Sequence, residues 1–225
     1  MRRSRLALAG AAAATAALAP SLGTGAPPNP QPTARLSIEA SPSLITWGTQ
    51  AGIGGQVTGR RGPMSGRSVT LEADAFPFGS FTQLGTATAN ARGQFSFLVR
   101  PADNTRYRVL AEGRNAPQSN DVLVYVRMRA SLRVGHAFPE RGERVEFFGS
   151  VTPAHDGLTV HIQKRNPDGT YRNVARTTLT AGSGVSSRFE ARIPIYRNGW
   201  YRVLAPSHDD HTKAVSAPRL VRVTS

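Results

Sequence analysis

The chain has no cysteine and, among its 225 residues, only five histidines, three methionines and two tryptophans. Without cysteine there is no disulfide to staple an exported fold, no thiolate to hold a metal and no thiol nucleophile. Lysine is nearly missing as well: Lys164 and Lys213 are the only two, so arginine carries the net charge of +14. No Gly-rich phosphate loop stands between a strand and a helix, and no serine sits in a nucleophile elbow. After residue 35 no segment has a convincing helical period, and none is apolar over the ~20 residues a membrane-spanning helix needs. Convergent carboxylates or a His-paired nucleophile, the minimum for a hydrolase, are not in evidence. The reading is of a non-enzymatic chain without a cofactor.

What the chain does have begins with an export pattern. Arg2, Arg3 and Arg5 precede an uncharged, Ala-rich run from Leu6 to Leu18, and Ala14-Thr15-Ala16 fits a small-residue cleavage site. Residues 1–25 are expected to form a signal peptide, cut between Ala16 and Ala26. Pro27, Pro28, Pro30 and Pro32 then make residues 26–34 an extended, polyproline-type linker. The sequence stops at Ser225 without an apolar tail. The mature chain is therefore expected outside the cytoplasm or in the cell envelope, without a transmembrane segment.

The folded part is a duplication. Gly55-Gln56-Val57-Thr58 returns as Gly149-Ser150-Val151-Thr152, 94 positions on. At the same offset Tyr107-Arg108-Val109-Leu110-Ala111 returns as Tyr201-Arg202-Val203-Leu204-Ala205, and Phe95 as Phe189. Two small insertions shift Val69 and Leu71 onto Val160 and Ile162, and Phe81 onto Tyr171. Each copy is domain-sized and far longer than a solenoid repeat. Within each copy apolar residues alternate, as in Phe95, Phe97 and Val99 or Val145, Phe147, Gly149 and Val151, the pattern of a half-buried strand. Turn signals such as Arg60-Arg61-Gly62-Pro63, Asn166-Pro167-Asp168-Gly169 and Arg197-Asn198-Gly199 separate about seven strands per copy. These features predict an all-β protein with one domain over 35–128 and a second over 129–225. Each is large enough, at about 90 residues, to stand on its own core.

Asp103-Asn104-Thr105-Arg106-Tyr107 and Asn198-Gly199-Trp200-Tyr201 each place a tyrosine after a turn, at the start of an alternating strand. In this the sequence resembles tandem bacterial immunoglobulin-like domains, which carry such a tyrosine corner in an antiparallel β-sandwich. The resemblance implies structural roles for Tyr107 and Tyr201, with each hydroxyl bonded to backbone. It also implies a secreted or cell-surface protein that works as a structural or adhesion module. The Cys…Trp…Cys core of antibody domains is lacking. A transthyretin-like topology stays open, because such domains share the Gly-rich, Phe-bearing middle strand.

The residues that could carry a function are few. Arg60, Arg61 and Arg67 share one loop. Arg127, Arg129 and Arg133 bracket the junction of the copies, and their odd spacing puts them on one side of an extended chain. Such a basic surface attracts anionic envelope glycans or polymers, the alternative reading of the function. Nucleic acid is disfavoured by the export signal and by the lack of aromatics among the basic strands. The first copy has Phe76-Pro77-Phe78-Gly79 where the second has Asn166-Pro167-Asp168-Gly169. Phe76 and Phe78 are therefore expected to be exposed at a turn shared by both copies, as a contact site for another surface protein. His208, Asp209, Asp210 and His211 offer four metal-ligand types in four positions. So tight a run cannot wrap an ion without a ligand from elsewhere, and the first copy has Gly113-Arg114-Asn115-Ala116 in its place. It reads as a polar hairpin, as His155-Asp156-Gly157 reads as a turn, and no metal is expected.

Overall fold

The computed structural model describes residues 34–113 and 117–224; the expected signal peptide, its cleavage site and the expected linker up to residue 33 lie outside the described residues. Among the described residues there is no helix. The first half contributes β1 (Ala34–Ser41), β2 (Leu44–Thr46), β3 (Ala51–Gly59), β4 (Gly62–Pro63), β5 (Ser68–Ala75), β6 (Thr82–Thr88), β7 (Gln94–Val99), β8 (Thr105–Ala111) and β9 (Val122–Arg127). One sheet runs β1-β3-β7, with β4 on the end of β3, and the other runs β2-β9-β8-β5-β6. Every pairing is antiparallel except β2 with β9.

The second half repeats the plan with β10 (Arg129–Ala130), β11 (Arg133–Val134), β12 (Arg144–Thr152), β13 (Thr159–Arg165), β14 (Tyr171–Thr178), β15 (Thr180–Ala181), β16 (Ser187–Pro194), β17 (Gly199–Ala205), β18 (Ala214–Val215) and β19 (Arg219–Val221). Here β10 and β11 share the work of β1 on β12, and β16 follows β12 as β7 follows β3. The other sheet runs β14-β13-β17, with β18 and β19 both on β17. A parallel bridge between Glu140 and Thr224 stands where β2 meets β9.

The alternation seen in the sequence is the alternation of burial. Val145, Phe147 and Val151 of β12 are buried, as are Phe95 and Val99 of β7. Each half has its own apolar cluster between its two sheets, one drawn from Ala34 to Val126 and one from Met128 to Val221. The repeated glycines are fixed by these clusters. A Cβ on Gly55 would overlap the Ser37 carbonyl and the Phe95 ring, and one on Gly149 would overlap the Ser131 carbonyl and the Phe189 ring. The Gly-x-Val-Thr element and the Phe of the facing strand are thus one packing unit, seen twice.

Polar contacts repeat with equal fidelity. Ser37 Oγ accepts from the Gln56 amide at 3.0 Å, and Ser131 Oγ from the Ser150 amide at 3.0 Å. Ser119 Oγ accepts from the Val109 amide and Ser216 Oγ from the Val203 amide, each at 3.0 Å. Arg108 lies 3.9 Å over the Phe81 ring and Arg202 lies 3.6 Å over Tyr171. The corner itself is tied by asparagine: Asn104 Oδ1 accepts from the Val126 amide at 2.8 Å, and Asn198 Oδ1 from the Val223 amide at 2.7 Å. This corrects the expected tyrosine corner. Tyr107 and Tyr201 are buried core residues, but among the described residues neither hydroxyl bonds to backbone. Burial, partly offset by the Thr105 side chain, pushes the Tyr107 phenol up to about 12.

Candidate functional site

The run from His208 to His211 is a tight hairpin. The His208 and His211 amides each donate to the other's carbonyl, at 3.0 and 3.1 Å, leaving Asp209 and Asp210 at the tip. This tip is bonded to the first half of the chain. The Asn104 amide donates to the Asp210 carbonyl at 2.8 Å, and Asn104 Nδ2 donates to the Asp209 carbonyl at 3.1 Å. His211 Nε2 donates to the Ala102 carbonyl at 2.8 Å, and the Thr212 amide donates to the Val126 carbonyl at 2.8 Å. The segment therefore continues the ladder on β9 just beyond the end of β8, at the corner that Asn104 already ties.

The Asp210 side chain faces the other way, into the second half. His155, on the loop between β12 and β13, is held at its backbone: its amide donates to Ser187 Oγ at 2.7 Å, and Ser187 Oγ donates to Asp156 Oδ1 at 2.5 Å. Its Nδ1 lies 3.0 Å from the Pro153 carbonyl, and its Nε2 lies 3.1 and 3.2 Å from the two oxygens of Asp210. His208 Nδ1 is 2.6 Å from Asp210 Oδ1, and His211 Nδ1 is 3.1 Å from Asp210 Oδ2. Three imidazoles thus converge on one carboxylate. Burial on its own opposes ionisation of Asp210; the three imidazoles around it, of His208, His155 and His211, outweigh it and hold the carboxyl at about 2. His155 and His211 are buried, while His208 is half exposed on a cleft of about 690 Å³ that Asp156, His161 and Pro206 also line.

Sequence reasoning singled out His208, Asp210 and His211 but not His155, which lies far upstream and reads as a turn residue. Asp209 is exposed and contributes its carbonyl to Asn104. Gly113 stands in the equivalent loop of the first half, and residues 114–116 lie outside the described residues.

The arginine groups divide. Arg127, Arg129 and Arg133 are all exposed, with Met128 and Leu132 buried between them, and none pairs with a carboxylate among the described residues. Arg60 and Arg61 are exposed at the turn between β3 and β4, but Arg67 is partly buried with its guanidinium against Gly113. A further basic group was missed. Lys164, Arg165, Arg172 and Arg197 line a cleft of about 600 Å³ together with Trp200, which is 42% exposed rather than packed in the core. Burial, with the charges of Arg172 and Arg197 adding to it, lowers the affinity of Lys164 for its proton. Four cations thus stand beside one exposed indole.

The Phe76–Phe78 tip differs from expectation on two counts. Both rings are half buried, packed edge to face with centroids 5.7 Å apart, and Arg106 lies 4.2 Å over Phe78. The turn is also not the one in the second half: Phe76-Pro77 is cis and Phe78 takes φ +54°, whereas in the second half Gly169 takes the left-handed position. Asp74 closes the first turn by accepting from the Gly79 and Ser80 amides at 2.9 and 3.2 Å.

No protein-family model matches the chain, and no curated protein matches it. Among solved structures it is similar to a tetra-tandem repeat in the extending region of a large adhesion protein, with TM-score 0.37 and 15% identity over 84% of this chain and 49% of that one. It is also similar to red sea bream transglutaminase, with TM-score 0.42 and 13% identity over 85% and 31% of the two chains. For E. coli alpha-2-macroglobulin the TM-score is 0.37 and the identity 12%, over 84% of this chain and 17% of that one. The chain spans less than half the length of each of these proteins.

Proposed function

We propose that this is a non-catalytic extracellular module of two tandem immunoglobulin-like domains, 35–128 and 129–225, which spaces or presents a binding surface at a fixed angle. The observation that carries this reading is the junction. A flexible tether needs no contacts, yet here Ala102, Asn104 and Val126 each bond directly to the 209–212 segment. The strand order supports the immunoglobulin-like assignment over a transthyretin-like one. β1-β3-β7 facing β9-β8-β5-β6 matches an A-B-E sheet packed on a G-F-C-C′ sheet. To test the reading, the mature chain is incubated with fractionated envelope and secreted proteins, and both bound and unbound fractions are analysed by mass spectrometry. A spacer or adhesin captures a partner and returns it chemically intact. Cleaved or newly cross-linked material would refute the non-catalytic reading.

A second reading, binding of anionic envelope polymer, draws on the basic cleft around Trp200 and the exposed face of Arg127, Arg129 and Arg133. Exposed charges are screened beyond about 8 Å at physiological salt. Retention on an acidic glycan column should therefore fall steeply with added salt, and Trp200→Ala should shorten it further. Retention indifferent to salt would rule this reading out.

A further inference from the structure

We propose that His155, His208 and Asp210 bind one divalent zinc-class ion on the hairpin that joins the two halves. One ligand atom from each of the three lies within 4.8 Å of the others. The tautomers make the case. The Pro153 carbonyl can only accept, so His155 Nδ1 carries the hydrogen, and in a neutral ring Nε2 then presents a lone pair to Asp210. The Ala102 carbonyl fixes His211 in the same way: Nε2 carries the hydrogen, and the buried Nδ1 makes no hydrogen bond of good geometry although Asp210 Oδ2 is 3.1 Å away. Each of the two rings is held from behind by a backbone carbonyl and turns its other nitrogen to the Asp210 carboxylate, where a divalent cation can take the place of a ring proton. A backbone carbonyl on the far side of the ring is also the usual outer support of a metal-binding histidine.

The dimensions fit. Tetrahedral ligands about 2.0–2.1 Å from zinc lie about 3.3 Å apart, close to the 3.1 and 3.2 Å between His155 Nε2 and the Asp210 oxygens. The 2.6 Å between His208 Nδ1 and Asp210 Oδ1 must widen, which a half-exposed side chain can do. Two imidazoles and one carboxylate suit zinc and its neighbours; calcium and magnesium prefer oxygen ligands alone. The fourth position opens onto the cleft beside His161 and Asp156, where water would complete the shell. His211 is a positioning residue: its Nε2 bond to the Ala102 carbonyl fixes the hairpin that carries Asp210. Since Asp210 holds Asn104 through its carbonyl, the ion would stiffen the junction from the second half.

The inference stands apart from the spacer reading, because a metal site here requires no particular partner. The test uses the tag-free full chain, stripped with EDTA and titrated with zinc by calorimetry, with metal counted by elemental analysis. The expected result is one ion per chain, proton release on binding, a raised melting temperature, and no comparable effect of calcium. His208→Ala should weaken zinc binding by more than about a hundredfold, since losing even an outer-shell partner costs about 10–100-fold. As His208 is half exposed, this variant should melt like the metal-free parent, and His161→Ala should bind as the parent does. Cobalt in place of zinc should give the visible bands of a tetrahedral nitrogen–oxygen site, lost in His208→Ala and Asp210→Asn. No zinc uptake by the parent, or uptake unchanged in both His208→Ala and Asp210→Asn, overturns the proposal.

Discussion

Replacing Asn104 by alanine tests the corner and the junction together. Asn104 is 6% exposed, and its side chain makes two bonds of different kinds. Its Oδ1 satisfies the amide of Val126, a fully buried residue of its own half, while its Nδ2 reaches the Asp209 carbonyl of the other half. Leaving a buried amide unpaired costs about 1–3 kcal/mol, and losing the second bond adds about 0.5–1.5 kcal/mol. Asn104→Ala should therefore destabilise the first half by roughly 2–4 kcal/mol, or about 5–15 °C in melting temperature for a chain of this size. Asn198 provides the internal control. It is exposed, ties only Val223 and makes no bond across the junction among the described residues, so Asn198→Ala should cost only about 0.5–1.5 kcal/mol. Urea denaturation followed by tryptophan fluorescence reads the halves separately, Trp47 reporting the first and, in a Trp47→Phe background, Trp200 the second. If Asn104→Ala costs no more than Asn198→Ala, the assignment of the asparagine as the corner tie is wrong.

Three further outcomes follow from the packing. Gly149→Ala forces a Cβ against the Ser131 carbonyl and the Phe189 ring, so urea midpoints should show a loss of about 1–3 kcal/mol, the cost of overpacking a core. Tyr107, with its folded pKa near 12 above the ordinary 10.0, stabilises fully below pH 10 and loses that contribution between about pH 10 and 12. Tyr107→Phe should change neutral-pH stability by under about 1 kcal/mol yet raise the midpoint of alkaline unfolding, as followed by circular dichroism. The double variant Phe76→Asn, Phe78→Asp loses an edge-to-face pair and the Arg106 contact, and should lower the melting point by the equivalent of about 1–2.5 kcal/mol. An unchanged melting point would mean that the rings are supported by nothing but each other.

The duplication was legible because its signals are local and steric. Gly149 recurs where Gly55 stands because a phenylalanine ring leaves no room for a side chain, and Tyr201 recurs where Tyr107 stands because both fill a core. The polar devices were not legible. Asn104 in a turn looks like any turn asparagine, and its partner Val126 lies a whole strand and loop away. His155 is brought to His208 by the closing of a sandwich, which no spacing in the sequence encodes. The Phe tip misled because comparing copies assumes a shared backbone, and a Pro at the same place was compatible with two different turns. Trp200 is exposed because its neighbour Tyr201 points inward, and adjacent residues of a strand face opposite sides.

The junction also sets an order of assembly. Within each half, strands meet partners that leave the ribosome within the same repeat. The contacts between halves join residues as far apart as Ala102 and His211, a separation of 109 positions. Closing so long a loop carries an entropic cost that is repaid only when both ends are already in place. Ala102 and Asn104 are fixed once the first sandwich forms, whereas the hairpin at 208–211 is fixed only by strands near the end of the chain. The hairpin at 208–211 therefore meets the first half only after nearly the whole chain has been made.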